Sequence, residues 1–361
     1  MNKFFVFIEL NNTIALLKVI LKAILHLLKN KKVLYNKTKI IQGTTMQLGI
    51  STCLLGEKCR YDGSGCKDQF IVDTLSQYFE FIPYCPESVI FGTPRESIRL
   101  VEQNNEVRVL TNKTKKDVTQ ELKDISQTLC NKIEDDELCG FILKSKSPTC
   151  GMERVKVYQP INAPSEKKGV GIFANEIQKL YPYLPMEEEG RLNDPWLREN
   201  FLVQVYAYSD FQKFLKTSPS HKDLVEFHTG YKYLIYSKSH DSYKILGSIV
   251  ANHAKDPFSE VLKNYQKSFY EAINEKGSIK KTYNVLLHIF GYFKKLLSKE
   301  EKEHVLNSCD EYKKGIIPLI AVIKLLNLYV KKFDDQYLKK QKFLHPYPAE
   351  LGLRSDLGAY K

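Results

Sequence analysis

From Met46 onward, short apolar runs alternate with longer amphipathic ones. Leu48-Gly-Ile-Ser-Thr, Phe79-Glu-Phe-Ile-Pro and Phe141-Ile-Leu are too brief for helices and predict buried strands. Between and after them, residues 67–78, 115–133 and 171–181 carry apolar positions at helical spacing: Phe70, Ile71, Leu75; Val118, Leu122, Ile125, Leu129; Ile172, Phe173, Ile177. The runs 98–101 and 106–110, parted by Asn104-Asn105, predict a hairpin. Strand, helix, strand, helix, strand, helix implies a parallel sheet, a small Rossmann-like α/β domain. Residues 182–195, with three prolines, Glu187-Glu188-Glu189 and Gly190, read as a linker. A helix then starts at Asp194-Pro195. Residues 224–237, 243–252, 257–274, 280–297 and 316–332 predict an all-α second half.

The expected organisation is therefore an extension over 1–45, an α/β domain over 46–200 and a helical domain over 205–355. In the extension, Lys18, Lys22 and His26 fall on one stripe of an otherwise apolar stretch, with Lys29, Lys31 and Lys32 behind it. That pattern suits a helix lying on a membrane surface. The plainer reading, which we prefer, begins the folded protein at Met46 and expects no stable membrane partner for residues 46–361.

Charge divides along the same lines. The formal net charge is +12, but residues 46–200 hold 20 basic against 24 acidic side chains, and residues 201–361 hold 26 against 17. The helical half is thus the one suited to a polyanion. Eight cysteines without a trusted signal peptide point to metal or catalysis in a reducing, cytoplasmic setting rather than to disulfides.

Three of those cysteines change the picture. Cys53, Cys85 and Cys150 each come just past a predicted strand, and in an open parallel sheet that edge binds ligands. Three thiolates there can hold a metal and leave a position open; the paired spacing of a closed zinc site is missing. An iron–sulfur cluster on three cysteines would present one iron without a protein ligand, a Lewis acid for a soft sulfur atom. Glu87 lies two residues past Cys85 as a candidate general base. Ser147 lies three residues before Cys150 as a hydrogen-bond donor, and Lys144 and Lys146 add positive potential. The competing reading is that these cysteines are small buried residues. Cys59 and Cys66, in the first loop, offer a fourth ligand or a redox thiol. Cys130, Cys139 and Cys309 read as ordinary packing.

Ser51-Thr-Cys-Leu-Leu-Gly, Arg60-Tyr-Asp-Gly, Tyr84-Cys-Pro-Glu, Thr93-Pro-Arg, Lys144-Ser-Lys-Ser-Pro-Thr-Cys-Gly and Leu192-Asn-Asp-Pro together resemble the thiouracil desulfidase family over about residues 47–200. The resemblance implies a [4Fe-4S] cluster on Cys53, Cys85 and Cys150, with Glu87 and Ser147 as acid–base residues. Ser51, Arg60, Arg95, Lys144 and Lys146 become candidates for substrate contact. The implied reaction is non-redox: sulfur held by the open iron, water attacking the thiocarbonyl carbon, sulfide leaving. Glu96-Ser97 stands where that family usually shows prolines.

Phe227-His-Thr-Gly-Tyr-Lys-Tyr, Tyr243-Lys-Ile-Leu-Gly and Phe343-Leu-His-Pro-Tyr-Pro resemble the YbgA-like domain, with Tyr231, Lys238 and Tyr347 where histidines are usual. The fused pair is similar to bacterial desulfidases acting on 4-thiouridine in transfer RNA, the helical domain binding the RNA. Lys232, Lys263, Lys267, Lys280 and Lys281 are the candidate RNA contacts, chosen from charge density beside tyrosines that can stack. Two alternatives stand: desulfuration of free thiouracil or a thiouridine nucleotide, and an RNA-binding protein whose cluster is structural or redox-sensing.

Overall fold

Strand β1 (Met46–Ser51) runs between β2 (Phe79–Tyr84) and β5 (Leu138–Leu143), and β8 (Met186–Glu188) closes one edge of this all-parallel sheet. The computed structural model describes residues 46–159, 164–351 and 353, so the helix expected within 1–45 lies outside the described residues. All six residues of β5 are buried, as an interior strand covered on both faces requires. Gly49 admits the ring of its cross-strand neighbour Phe141, which would lie 2.3 Å from a Cβ at that position. Strand order reverses at β1, with β2 on one side and β5 on the other. The crevice beyond the carboxyl ends at such a reversal is the usual ligand site.

Helices α1 (Gln69–Asp73) and α2 (Pro86–Phe91) are short; α3 (Thr119–Cys130), α4 (Lys132–Asp135) and α5 (Ile172–Leu180) follow. Leu129, Phe141, Phe173 and Ile177 form the core on one side of the sheet. On the other side Leu48, Ile50 and Ile142 meet Phe201, Leu202 and Val205 of α6 (Pro195–Lys216). The helix expected over 67–78 stops at Asp73 and continues as a 3₁₀ turn, Leu75–Gln77. Ser76 Oγ and Gln77 Nε2 donate back to the Val72 and Asp73 carbonyls there, competing with the helical ladder. The helix expected from residue 115 begins at Thr119, because Asp117 accepts from the Thr119 N–H and hydroxyl in a local turn.

The expected hairpin is β3 (Ile98–Gln103) with β4 (Glu106–Thr111), turned by Asn104 and Asn105, both at positive φ as a two-residue turn demands. It belongs to a second sheet, β4-β3-β6-β7, completed by β6 (Val155–Tyr158) and β7 (Glu166–Gly169). Neither of those strands was expected; three of the four β7 residues are exposed, so no apolar alternation marks it.

Residues 182–195 are not a linker. They contain β8, and Glu187, Glu188 and Glu189 are buried rather than solvated, because each carboxylate has donors. Arg191 bonds Glu187, the Met152 N–H bonds Glu188, and the Ser145 N–H bonds Glu189.

The second half is helical: α7 (His221–Lys238), α8 (His240–Ala251), α9 (Phe258–Asn274), α10 (Ile279–Phe293), α11 (Lys299–Lys313), α12 (Leu319–Lys332) and α13 (Gln336–Lys339). Helix α11 was missed, since only Val305 and Cys309 are buried in it, although Ser298 and Glu301 form a legible capping box. The domain boundary expected at 200–205 falls inside α6. Val203, Ala207 and Phe211 of that helix enter the helical core, while Phe201, Leu202 and Val205 enter the sheet core. Leu351 and Leu353, at the far end of the described chain, also pack into the sheet core.

Candidate active site

Each of three neighbouring parallel strands passes a cysteine to the same edge. Cys53 lies in the 3₁₀ turn Thr52–Leu55 after β1, Cys85 follows β2 directly, and Cys150 ends the loop after β5. The three interact electrostatically, Cys150 with both of the others. A fourth thiol, Cys59, joins them by hydrogen-bonding Cys53 and Cys85. That bond is the largest influence on Cys53, whose thiol is held below its usual range against the cost of burial; Lys144 and Arg60 add to the lowering. Cys85 is drawn down to about 7, first by Cys59 and then by Ser88, again against burial. Cys59, bonded to both, is pushed far up by those same bonds. Cys150 is raised chiefly by burial, and next by the charge of Cys85. Contact with Cys59 thus favours, and burial opposes, the charged form at Cys53 and Cys85.

Among the described residues, no three His, Cys, Asp or Glu side chains gather tightly enough for a single metal ion. A mononuclear site needs every thiolate about 2.3 Å from one centre. An iron–sulfur cluster instead takes each thiolate on a different iron. The donor set, three soft thiols delivered to one sheet edge by neighbouring strands, fits the polynuclear group. Arg60 Nε and Thr149 Oγ1, close to Cys53 and Cys150, are buried with no hydrogen-bond partner, as happens where a site is shaped for another group.

Local chemistry fixes the Cys150 loop from two directions. Ser147 Oγ accepts from the N–H groups of Thr149 (3.2 Å) and Cys150 (3.1 Å). The first N–H groups of α5, which have no partner within the helix, donate to the loop: Ile172 to Pro148 O at 3.2 Å and Phe173 to Thr149 O at 2.9 Å. Gly171 permits this docking, since a Cβ would stand 2.5 Å from the Thr149 carbonyl. From the other side, Glu189 accepts from Lys144 Nζ, the Ser145 N–H (2.6 Å) and Ser145 Oγ (2.8 Å). Ser51 Oγ accepts from the Lys144 N–H at 2.9 Å and its hydroxyl hydrogen-bonds the Cys150 thiol.

Glu87 sits in the first turn of α2, beside Cys85. Its carboxylate takes a 2.8 Å ion pair from Arg95, whose side chain is 6 % exposed. The same guanidinium donates to the carbonyls of Cys59 (2.8 Å) and Gly92 (3.0 Å) and to Thr93 Oγ1. Glu87 can hold or release a proton beside the thiols, Ser147 can donate its hydroxyl proton, and Arg95 orients Glu87.

The structure thus brings Cys53, Cys85, Cys150, Glu87, Ser147, Ser51, Arg60, Arg95 and Lys144 to one edge. Of the candidate substrate contacts, Ser51, Arg95 and Lys144 are engaged within the protein, and Lys146 is exposed at a positive-φ position. Sequence reasoning does not reach Glu189, because its acidic run reads as linker. The candidate RNA contacts occupy three helices. Lys263 and Lys267 are exposed one turn apart on α9 and Lys280 is exposed at the start of α10. Lys232, on α7, lies over the Tyr233 and Tyr243 rings, and Lys281 Nζ is tied to the Lys238 carbonyl at 2.5 Å. Two histidines of this half do structural work: His228 Nδ1 meets the Tyr265 hydroxyl at 3.2 Å and His221 Nε2 the Val250 carbonyl at 2.9 Å.

Residues 48–189 match the family model of 2-thiouracil desulfurase, and residues 232–348 match the family described as protein of unknown function DUF1722. Uncharacterized protein YbgA of Escherichia coli (strain K12) is 22 % identical over 157 residues, 43 % of this chain and 93 % of that protein. A solved structure of a [4Fe-4S]-dependent thiouracil desulfidase, TudS, is 24 % identical, covering 41 % of this chain and 94 % of that one with a TM-score of 0.35.

Proposed function

We propose that this chain, which joins a 2-thiouracil desulfurase domain to a DUF1722 domain, is a cytoplasmic iron–sulfur enzyme that removes sulfur from thiolated uracil, 4-thiouridine in transfer RNA foremost. The observation that carries the reading is the convergence of the Cys53, Cys85 and Cys150 thiols with Glu87 at one edge of the sheet. When bound, a [4Fe-4S] cluster on those three thiolates would supply a Lewis-acidic iron for the substrate sulfur. The rest of the work falls to the protein. Glu87 takes a proton from the water that attacks the carbon, its carboxylate held in place by Arg95. Ser147 donates to the reacting group. The products are uridine, with water's oxygen where sulfur was, and sulfide.

Transfer RNA is supported by the basic surplus of residues 201–361 and by exposed Lys263, Lys267 and Lys280. No helix among the described residues is long and apolar enough to cross a membrane, and all eight cysteines are free. A second reading, desulfuration of a free thiouracil or its nucleotide, has its own support: Lys144 and Lys281 already spend their charge on internal partners.

The test is sulfide release by the anaerobically reconstituted protein from 4-thiouracil, 4-thiouridine and thiolated transfer RNA. Transfer RNA should turn over fastest, with an affinity that falls with salt by roughly 0.7–0.9 in log–log slope per phosphate neutralised. Turnover of the free base with transfer RNA inert would establish the second reading. A stable cluster with no sulfide from any substrate would leave an RNA-binding or redox-sensing protein.

A further inference from the structure

The loop between β1 and α1 carries two cysteines beyond those at the strand ends, and it treats them differently. Cys66 is half-buried, and its N–H donates to the Cys53 carbonyl at 2.8 Å. Cys59 is only 8 % exposed and its thiol touches two of the three thiols assigned to the cluster, Cys53 and Cys85. Its main chain is also pinned: the N–H donates to the Glu57 carbonyl at 2.9 Å, and the carbonyl accepts from Arg95, the residue that holds Glu87. A buried nucleophilic side chain therefore lies among the ligands with no part in the reaction just described.

A cluster on three cysteines has one iron with no protein ligand, and thiolate is a ligand that iron in such a cluster accepts. Cys59 is buried beside two of the three ligating sulfurs, next to the crevice that such a cluster would fill. Lys144, Arg60 and Arg95, also close by, are donors that cannot ligate. We propose that Cys59 is a displaceable fourth ligand, closing the open iron in the resting protein and giving way to the sulfur of a thiolated substrate. The exchange breaks one iron–thiolate bond and forms one iron–sulfur bond to substrate. No electron changes hands, and the released thiolate takes a proton from solvent. Arg95 would link this exchange to the proton-accepting carboxylate, because one guanidinium holds both the Cys59 carbonyl and Glu87.

The inference rests on the cluster reading of Cys53, Cys85 and Cys150, and the experiment separates the two. The full chain is reconstituted anaerobically, its iron and sulfide are counted, and Mössbauer spectra are taken with and without 4-thiouracil. Without it, the wild-type protein should show no distinct iron subsite and no response to added 2-mercaptoethanol. Cys59→Ala and Cys59→Ser should show a distinct subsite, with the alanine variant responding to the thiol. Both should pass to the three-iron form in air several-fold faster, as followed by EPR. Cys66→Ala should match the wild type. A distinct, thiol-responsive subsite in the wild-type protein before any substrate is added overturns the proposal, whatever the variants do. Wild-type protein that takes up no iron and sulfide overturns the cluster reading as well. A four-thiolate cluster that releases no sulfide removes the desulfidase reading and leaves Cys59 a ligand.

Discussion

Arg95 spends its guanidinium entirely inside the protein, on Glu87, two carbonyls and a hydroxyl. Arg95→Ala would strand a carboxylate that is itself 15 % exposed, and breaking a buried pair this way costs about 3–5 kcal/mol. The melting temperature should drop, and sulfide release should fall further than stability alone explains, because Glu87 loses its orientation. Arg95→Lys should recover little, since a single ammonium cannot serve a fork of partners. A variant with wild-type turnover would remove Arg95 from the site. For the cluster itself, Cys53→Ser, Cys85→Ser or Cys150→Ser should each abolish iron binding, whereas Cys130→Ala and Cys309→Ala should keep it. Iron analysis decides; full iron in Cys150→Ser would break the assignment. At this scale the sequence was informative where function follows from strand ends, as for Cys53, Cys85 and Cys150. It marks Arg95 only as a candidate substrate contact, because the partners that hold its guanidinium include a carbonyl 36 residues earlier in the chain.

Among the elements, long helices with an apolar stripe were legible and short edge strands were not. Helices α7, α8, α9 and α12 form close to where apolar spacing expected them, because each buries a continuous face. Strand β8 went unread because three residues, two of them acidic, carry no period, and their burial depends on donors elsewhere. Glu189→Gln, just past it, would weaken the bonds that hold Lys144 and Ser145. It should lower iron retention under chelator challenge while leaving the helical half unchanged by circular dichroism. Helix α7 carries a pH dependence of its own. Burial pushes the His228 imidazole down to about 4, with Lys232 adding to it. The folded chain therefore refuses a proton that the unfolded chain binds between about pH 4 and 6.5. That contribution is fully present above pH 6.5 and is lost as pH falls toward 4, on the order of 3 kcal/mol in all. Thermal melts across that window should flatten in His228→Gln.

The whole molecule turns on α6, which gives alternate faces to two cores. Heating should therefore melt sheet and helical halves together, visible cluster absorbance and far-ultraviolet ellipticity fading at one temperature. Phe211→Ala, a truncation costing about 3–5 kcal/mol, lies in the helical core yet should lower the loss temperature of the cluster too. Two separate transitions would show that the halves fold independently. A fragment ending at residue 200 would lack Phe201, Leu202 and Val205, so it should fail to load iron for want of a core. A long amphipathic helix looks the same in sequence whether it serves one neighbour or two, so the shared role of α6 is not legible there.

Leu351 and Leu353 give this architecture a schedule during synthesis. They finish a core begun at Leu48, so β1 waits on the ribosome until the segment carrying Leu351 and Leu353 has followed. At about 5–20 residues per second, the interval between α6 and that closing segment is on the order of ten seconds. Through that interval the four thiols at the sheet edge are exposed on an unfinished nascent chain. Iron delivery is thus expected only once that segment has been made, and nascent chains arrested before Leu351 should carry no iron.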